Sequence, residues 1–475
     1  MTTPATRPRV LMIATARPTF VVDVAETRAS AARALLESLG AEVHGPQGLI
    51  MTPDDLEAAR AYIDHDYDLI INVCASFSDA TPALALYSGL TQPVLLWSFR
   101  EPGPVGDRLW LNSLCGSNLY AHALVRAGGS VRLVYGDPEE TAVADALSLA
   151  LSGHLPSAAT LPPMVRERAE AQPVREALDS LRGKTLGLVS EAPPGFTPSE
   201  FDGDLLQSLF GLTVHKLSID EMFSRIDDVT AEACNSEEVA VRTARPSLAA
   251  LDPDEVSRHA AVTVALRDWT ASKALSALAI RCWPEFPAQR GVCPCSSLSR
   301  IADEATPTAC ERDVYGSVTM LLLEALGSGT TYLVDTVDLD VSNNSVRLWH
   351  CGAAATSLAA DPAEATQFVH CNRKIGVAGN FPLRTGPVIM ARLTENITDE
   401  GVDGLRLLIA VGESIPAPNR FQGNTAEVRL EVDASAFVNS LVVGGFPHHT
   451  VLAWNDVRPQ LRAAADLLGI PVTEW

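Results

Sequence analysis

An alternation in the first 150 residues constrains the fold more than any other feature of the sequence. Short apolar runs rich in branched side chains (RVLMIAT, YDLIINVCAS, QPVLLWS, SVRLVYG) are separated by stretches of helical periodicity (SAARALLESLG, DDLEAARAYI, TPALALYSGL, SNLYAHALVRAGG). A continuous apolar run suits a strand covered on both faces. A helix after each strand provides that cover. The expectation is a parallel α/β sheet, with Gly40, Gly89 and Gly128 ending helices.

The pattern then pauses and resumes. Residues 152–174, SGHLPSAATLPPMVRERAEAQPV, are rich in Pro, Ala and Ser and read as a linker. A second α/β series begins at KTLGLVSEAPPGF, passes through a long helix near 254–273, and reaches TPTACER, a helix at 313–326 and TYLVDTVDLD. After about residue 340 the texture changes to strands joined by turns, in NSVRLWHCG, GPVIMARLTENI, GLRLLIAVGESI and NTAEVRLEV. That pattern suits antiparallel strands in a small barrel. The expected class is α/β: two Rossmann-like parallel domains, 1–155 and 175–340, followed by an antiparallel β-rich, barrel-like domain, 341–475. A chain of 475 residues is too long for one core, which agrees with this division.

Charge excludes several functions. With 58 acidic and 36 basic residues the formal net charge is −22, which is unsuited to neutralising phosphates or to lying on an anionic membrane. No apolar run has the length of a membrane span and no export-signal pattern opens the chain, so the expected location is the cytoplasm. Nine scattered cysteines do not suggest a disulfide framework. The densest group, Cys282, Cys293 and Cys295, lacks the two separated pairs of a structural zinc site.

The stretch PTACERDVYG sets three charges, Glu311, Arg312 and Asp313, between two apolar elements. Ligand sites in parallel sheets lie outside the carboxyl ends of strands. Asp313 is placed to cap the following helix, whereas Glu311 precedes the cap and has no local duty. Asp335 lies inside the apolar strand TYLVDTVDLD, where an acid is costly to bury unless paired or bound to a metal. Two such carboxylates on neighbouring strands need a cation between them, or one must hold a proton. His350 ends the next strand, and His448 and His449 follow a Gly-Gly turn; adjacent side chains in an extended segment face opposite ways, so at most one of the two is a ligand. Carboxylates with imidazole suit Mn²⁺, with Mg²⁺, Co²⁺ and Fe²⁺ as alternatives. Trp283 offers a face for a sugar ring, Glu285 a polar group at a strand end, and Asn118 either a polar contact or a helix cap.

With these residues in view, ACERDVYGSVTMLLLEAL, LVDTVDLD, LWHCG, GPVIMARLTENI and GGFPHHTVL resemble the L-fucose isomerase and L-arabinose isomerase superfamily. The resemblance is strongest from about residue 276 onward. It implies that Glu311, Asp335 and His449 hold the metal, with Glu311 and Asp335 also acting as the acid/base pair. It leaves His350 as a ligand or a substrate contact, and His448 as a pocket neighbour. It implies a closed homo-oligomer (trimer, tetramer or hexamer) in which a neighbour's first domain helps cover the site.

Arg312 departs from the family pattern, which has a small residue there. The guanidinium pairs with the acid, points outward, or binds an anionic substrate group. The leading expectation is a metal-dependent aldose–ketose isomerase acting through an enediol on a pentose or deoxyhexose such as L-fucose, D-arabinose or L-arabinose. The alternatives are an epimerase or lyase on a modified or anionic sugar, or a sugar-binding protein without catalysis.

Overall fold

The structure is a computed structural model and describes residues 7–63, 65–163, 167–398 and 400–475. The first unit is a five-stranded sheet of β1 (Arg9–Thr15), β2 (Glu42–His44), β3 (Leu69–Cys74), β4 (Val94–Ser98) and β5 (Val131–Tyr135). Its order is β2-β1-β3-β4-β5 and every pairing is parallel. All residues of β3 and β4 are buried, which is why they read as unbroken apolar runs. Gly40, Gly89 and Gly128 follow helices with φ of +94°, +83° and +83°.

The second unit is a four-stranded parallel sheet of β6 (Thr185–Val189), β7 (Thr213–Leu217), β8 (Leu275–Ile280) and β9 (Thr308–Ala309), in the order β7-β6-β8-β9. The third is a mixed sheet of β10 (Tyr332–Asp340), β11 (Ser345–His350), β12 (Thr366–Val369), β13 (Gly376–Pro382), β14 (Gly386–Thr398), β15 (Gly401–Ile415), β16 (Asn424–Leu430), β17 (His449–Ala453) and β18 (Val472–Glu474). The path β16-β11-β10-β17-β14-β15 returns to β16 through antiparallel β15–β16 pairing and closes a barrel.

One assignment changes here. β10, expected as a parallel strand of the second unit, pairs antiparallel with β11 and with β17 inside the barrel. The turn at 341–344 folds β11 straight back on β10, which only an antiparallel pair allows. A buried strand carries the same apolar signature in either sheet, so its composition does not reveal its partner.

The linker is ordered where described, with residues 164–166 lying outside the described set. Leu161 N donates to Ser440 Oγ at 2.8 Å, and Trp475 Nε1 donates to Leu161 O at 2.8 Å, so this segment lies on the barrel. The three units share one apolar core: Leu119, Ile280, Val334 and Leu452 belong to a single buried cluster. Arg100 adds a bond from the first unit to Leu339 O of the barrel, at 3.2 Å. Among the described residues no helix is long and apolar enough to cross a membrane, and all nine cysteines are free.

His259, on the helix Pro253–Ser272, is completely buried, with Nδ1 3.0 Å from Ser297 Oγ. Burial pulls its pKa from 6.5 down to about 3. Between those values the unfolded chain takes up a proton that the folded chain refuses, so stability falls as pH falls through that window, by up to about 1.4 kcal/mol per unit. Melting temperature should decline from neutral pH into the acid range, and less steeply in His259→Gln. An unchanged slope in that variant would place the acid sensitivity elsewhere.

Candidate active site

The turn after β9 is unusual. Glu311 and Arg312 both adopt left-handed backbone, with φ of +57° and +61°. Each such non-glycine residue costs about 1–3 kcal/mol and persists only where its surroundings hold it. Arg312 does the holding. Its Nε donates to Ser190 O and its Nη1 to Ser199 O, each at 2.7 Å, while Ser199 Oγ donates to Glu311 O at 2.5 Å. The guanidinium is 4 % exposed, lies over Phe201 at 5.5 Å, and has Glu191 at 3.5 Å. Of the three roles open to Arg312, the structure shows one that turns it away from the cleft, as a brace for the turn that presents Glu311.

Asp313 caps the helix Val314–Ala325 as expected, accepting from Gly316 N at 2.8 Å. It has a second duty that its sequence position does not reveal. Its carboxylate forms a buried pair with Arg392, whose Nη2 donates to Oδ1 at 2.9 Å, and it also lies 2.8 Å from His449 Nδ1.

β-Sheet register brings the remaining groups together. Asp335 on β10 stands directly opposite His449, the first residue of β17. His449 Nε2 is 3.2 Å from Glu311 Oε2 and 3.3 Å from Asp335 Oδ1. Trp283 Nε1 donates to Glu311 Oε1 at 3.0 Å. His448 Nε2 lies 3.8 Å from Glu311 Oε2, and the His350 and His449 rings are 5.4 Å apart. Ligand atoms of Glu311, His448 and His449, and of Asp335, His350 and His449, fall within 4.8 Å of one another.

Three buried atoms here, Asp335 Oδ1, His350 Nε2 and His449 Nε2, have no hydrogen-bond partner. Buried polar atoms are rarely left so. Carboxylate oxygens and imidazole nitrogens converging on one point fit a divalent cation of hard to borderline character. Asp313 on Nδ1 would aim Nε2 of His449 at such an ion.

The electrostatics agree with this arrangement. Burial raises the Glu311 pKa, but contacts with His448 and His449 outweigh it and hold the carboxyl well below its usual range. Burial also raises that of Asp313, and the Arg392 guanidinium and His449 together more than offset it. His449 is lowered by burial yet raised by its hydrogen bond with Asp313 and the nearby Glu311 carboxylate, reaching about 9. His448 is pushed down by burial and by His449 beside it.

A cleft opens on this group, lined by Glu311, Asp335, His350, His448 and Trp283. Arg17, Thr19, Phe20, Phe77 and Asn112 also line it. These are residues of the chain's own first unit, where the family resemblance implied cover from a neighbouring subunit. The cleft walls also include Cys282, Cys293, Cys295 and Cys351, with Cys295 and Cys351 sulfurs 3.6 Å apart. Burial pushes the Cys293 thiol up to about 11, so it is an uncharged wall residue.

Arg312 is turned away from the cleft and His449 is not among the residues that line it; two further expected site residues do not reach it. Glu285 opens the helix Glu285–Arg290 and pairs with Arg281 at 2.5 Å. Asn118 is buried within the helix Ser113–Arg126 and does not cap it, because that helix begins five positions earlier at Ser113, with Asn112 at the N-cap position. Arg17 and Arg373, two cleft residues, were not anticipated; no local motif marks either loop.

The chain is similar over nearly its whole length to curated sulfoquinovose isomerases. It is 34% identical to that of Alkalicoccus urumqiensis over 468 residues, covering 98% of this chain and 99% of the relative. It is 31% identical to that of Priestia aryabhattai over 465 residues, covering 97% and 98%. It is 32% identical to that of Clostridium sp. (strain MSTE9) over 457 residues, covering 95% and 96%. No family model matches the chain.

Proposed function

The chain belongs to the sulfoquinovose isomerase family, and from that premise we propose that it is a metal-dependent aldose–ketose isomerase whose substrate is sulfoquinovose, a hexose ending in a sulfonate. The observation that carries the proposal is His449, whose Nε2 lies 3.2 Å from Glu311 Oε2 and 3.3 Å from Asp335 Oδ1, beside a cleft that both carboxylates line. A sulfonated deoxyhexose takes the place of the neutral sugars to which the superfamily resemblance pointed.

Glu311, Asp335 and His449 would hold a divalent ion, with Mn²⁺ the preferred choice; His449 belongs to two groups of candidate ligands, one with Glu311 and His448 and one with Asp335 and His350. Such an ion would supply positive charge that favours loss of a proton from carbon and stabilises the oxyanion that follows. The remaining chemistry belongs to side chains. Glu311 is ionised and its Oε1 is fixed by Trp283, leaving Oε2 directed toward the His pair. One of the two carboxylates, Glu311 or Asp335, takes the proton from C2 while the C–H electron pair forms the C1=C2 bond, the C1=O π pair moves to O1, and O1 takes up a proton from solvent, to which O2 later returns one, completing the enediol. The proton is then delivered to C1 as the hydroxyl proton leaves O2 and the ketone forms. Phe20, Phe77 and Trp283 exclude water from the carbon skeleton, and Trp283 offers its indole face to the sugar.

The test is direct. Chelation should abolish conversion of sulfoquinovose to its ketose, and Mn²⁺ should restore it. In ²H₂O one deuteron should enter the product at C1. Full activity after the metal content has fallen to zero would remove the ion from the reaction. Turnover of L-fucose, D-arabinose or L-arabinose in preference to sulfoquinovose would overturn the substrate.

A further inference from the structure

Two arginines from distant parts of the chain share the cleft. Arg17 follows β1, and Arg373 sits in the turn between β12 and β13; both line the same cavity as Glu311 and Asp335. Their loops are tied together by Arg108, whose Nη1 donates to Thr19 O at 2.7 Å and lies 3.4 Å from Asn372 Oδ1. The Arg373 turn is further fixed by His370 Nδ1, which accepts from Asn372 N at 3.2 Å and Arg373 N at 3.3 Å. Arg17 N donates to Ser76 Oγ at 3.0 Å.

Neither guanidinium has a carboxylate within ion-pair distance among the described residues. Elsewhere the chain pairs its arginines closely, as in Arg100–Glu140 at 2.6 Å and Arg290–Asp227 at 2.7 Å. Burial lowers the Arg17 pKa, Asp79 raises it, and Arg373 lowers it again, so the two cations are close enough to repel. Both arginines are half-buried, and two like charges held together at one cleft are unfavourable until an anion arrives. A guanidinium offers a planar fork of donors to a tetrahedral oxyanion.

The placement also suits a hexose. The Arg17 guanidinium lies 4.5 Å from the centre of the Trp283 ring, and the same indole donates to Glu311 Oε1. One indole therefore separates the cation from the reacting carboxylate. A sugar bound at C1 and C2 by the carboxylates passes along that indole before its sixth carbon reaches Arg17.

We propose that Arg17 and Arg373 grip the terminal sulfonate of the sugar and set the preference for sulfonated over neutral hexoses. The assignment rests on the isomerase reading above and deepens it. The shared chemistry is a terminal tetrahedral oxyanion, which a phosphate ester also carries; the sulfonate is chosen because the relatives are named for it.

The test compares kcat/KM for sulfoquinovose with that for quinovose, which lacks only the sulfonate. Arg17→Gln and Arg373→Gln should each lower that ratio about 10- to 100-fold, through KM, since each removes a charge-assisted contact. Arg17→Lys and Arg373→Lys should recover part of it. Equal losses on both sugars, or no recovery by lysine, would reduce the pair to a structural role. Hexose 6-phosphate run in parallel separates the two anions: weaker use of the phosphate supports the sulfonate, and the reverse order overturns it. If the wild-type protein isomerises none of these sugars, the isomerase reading fails by itself. Calorimetric binding of sulfoquinovose then decides the clamp: affinity lost in the double Gln variant supports it, and affinity retained refutes it.

Discussion

Glu311→Gln should lower kcat by about 10³-fold while leaving the melting temperature little changed. Glutamine matches glutamate in shape, and its amide oxygen can still accept from Trp283 Nε1. The left-handed turn is held through Ser190 O, Ser199 O and the Glu311 carbonyl, none of which involves the side chain. The fold therefore loses little. The site loses the negative charge opposite His448 and His449, a proton acceptor and a metal-binding oxygen together. Uptake of deuterium from solvent should fall in step with turnover, and bound metal should fall as well. Activity within tenfold of wild type would take Glu311 out of the reaction.

Asp313→Asn should be the most destabilising single change at the site. Asparagine can still cap the helix at Gly316 N. It cannot neutralise Arg392, which is only 1 % exposed, and breaking a buried pair of this kind costs about 3–5 kcal/mol. It also frees His449 Nδ1 from the group that fixes its orientation, a loss that weakens metal binding by about 10- to 100-fold in comparable sites. Thermal unfolding and metal titration read the two effects separately. Asp313→Asn combined with Arg392→Met should recover much of the stability without recovering metal affinity. Wild-type stability in Asp313→Asn alone would mean that the Arg392 charge is satisfied by other means.

How far the site could be read in advance depended on what each residue owed its neighbours in sequence. Glu311, Asp335 and His449 stood out because they are polar groups at positions with no local duty, and the structure brings all three together. Asp313 looked fully explained by its cap. Its partnership with Arg392 lies 79 positions away and leaves no trace in the local pattern. Arg312 was noticed for the right reason, as a charge where a small residue was expected, but its contacts are to carbonyls and not to a ligand. The anionic-substrate idea it raised returns in the proposal at Arg17 and Arg373, which sit in ordinary loops and become notable only when two loops meet.

The same logic governs the fold. Strand–helix alternation in the first unit was readable because covered parallel strands need unbroken apolar runs. The barrel was readable from turns after residue 340. The placement of β10 was not, because TYLVDTVDLD satisfies either kind of sheet. Nor could any segment announce that the first unit closes over its own cleft, since that depends on how three separately patterned units dock.

That docking has a consequence for synthesis. The cleft draws on Arg17 near one end of the sequence, Glu311 and Asp335 in the middle, and a histidine that opens β17. A nascent chain therefore carries the Arg17 side of the cleft from the start, yet Asp335 meets His449 only after β17 has left the ribosome and paired with β10.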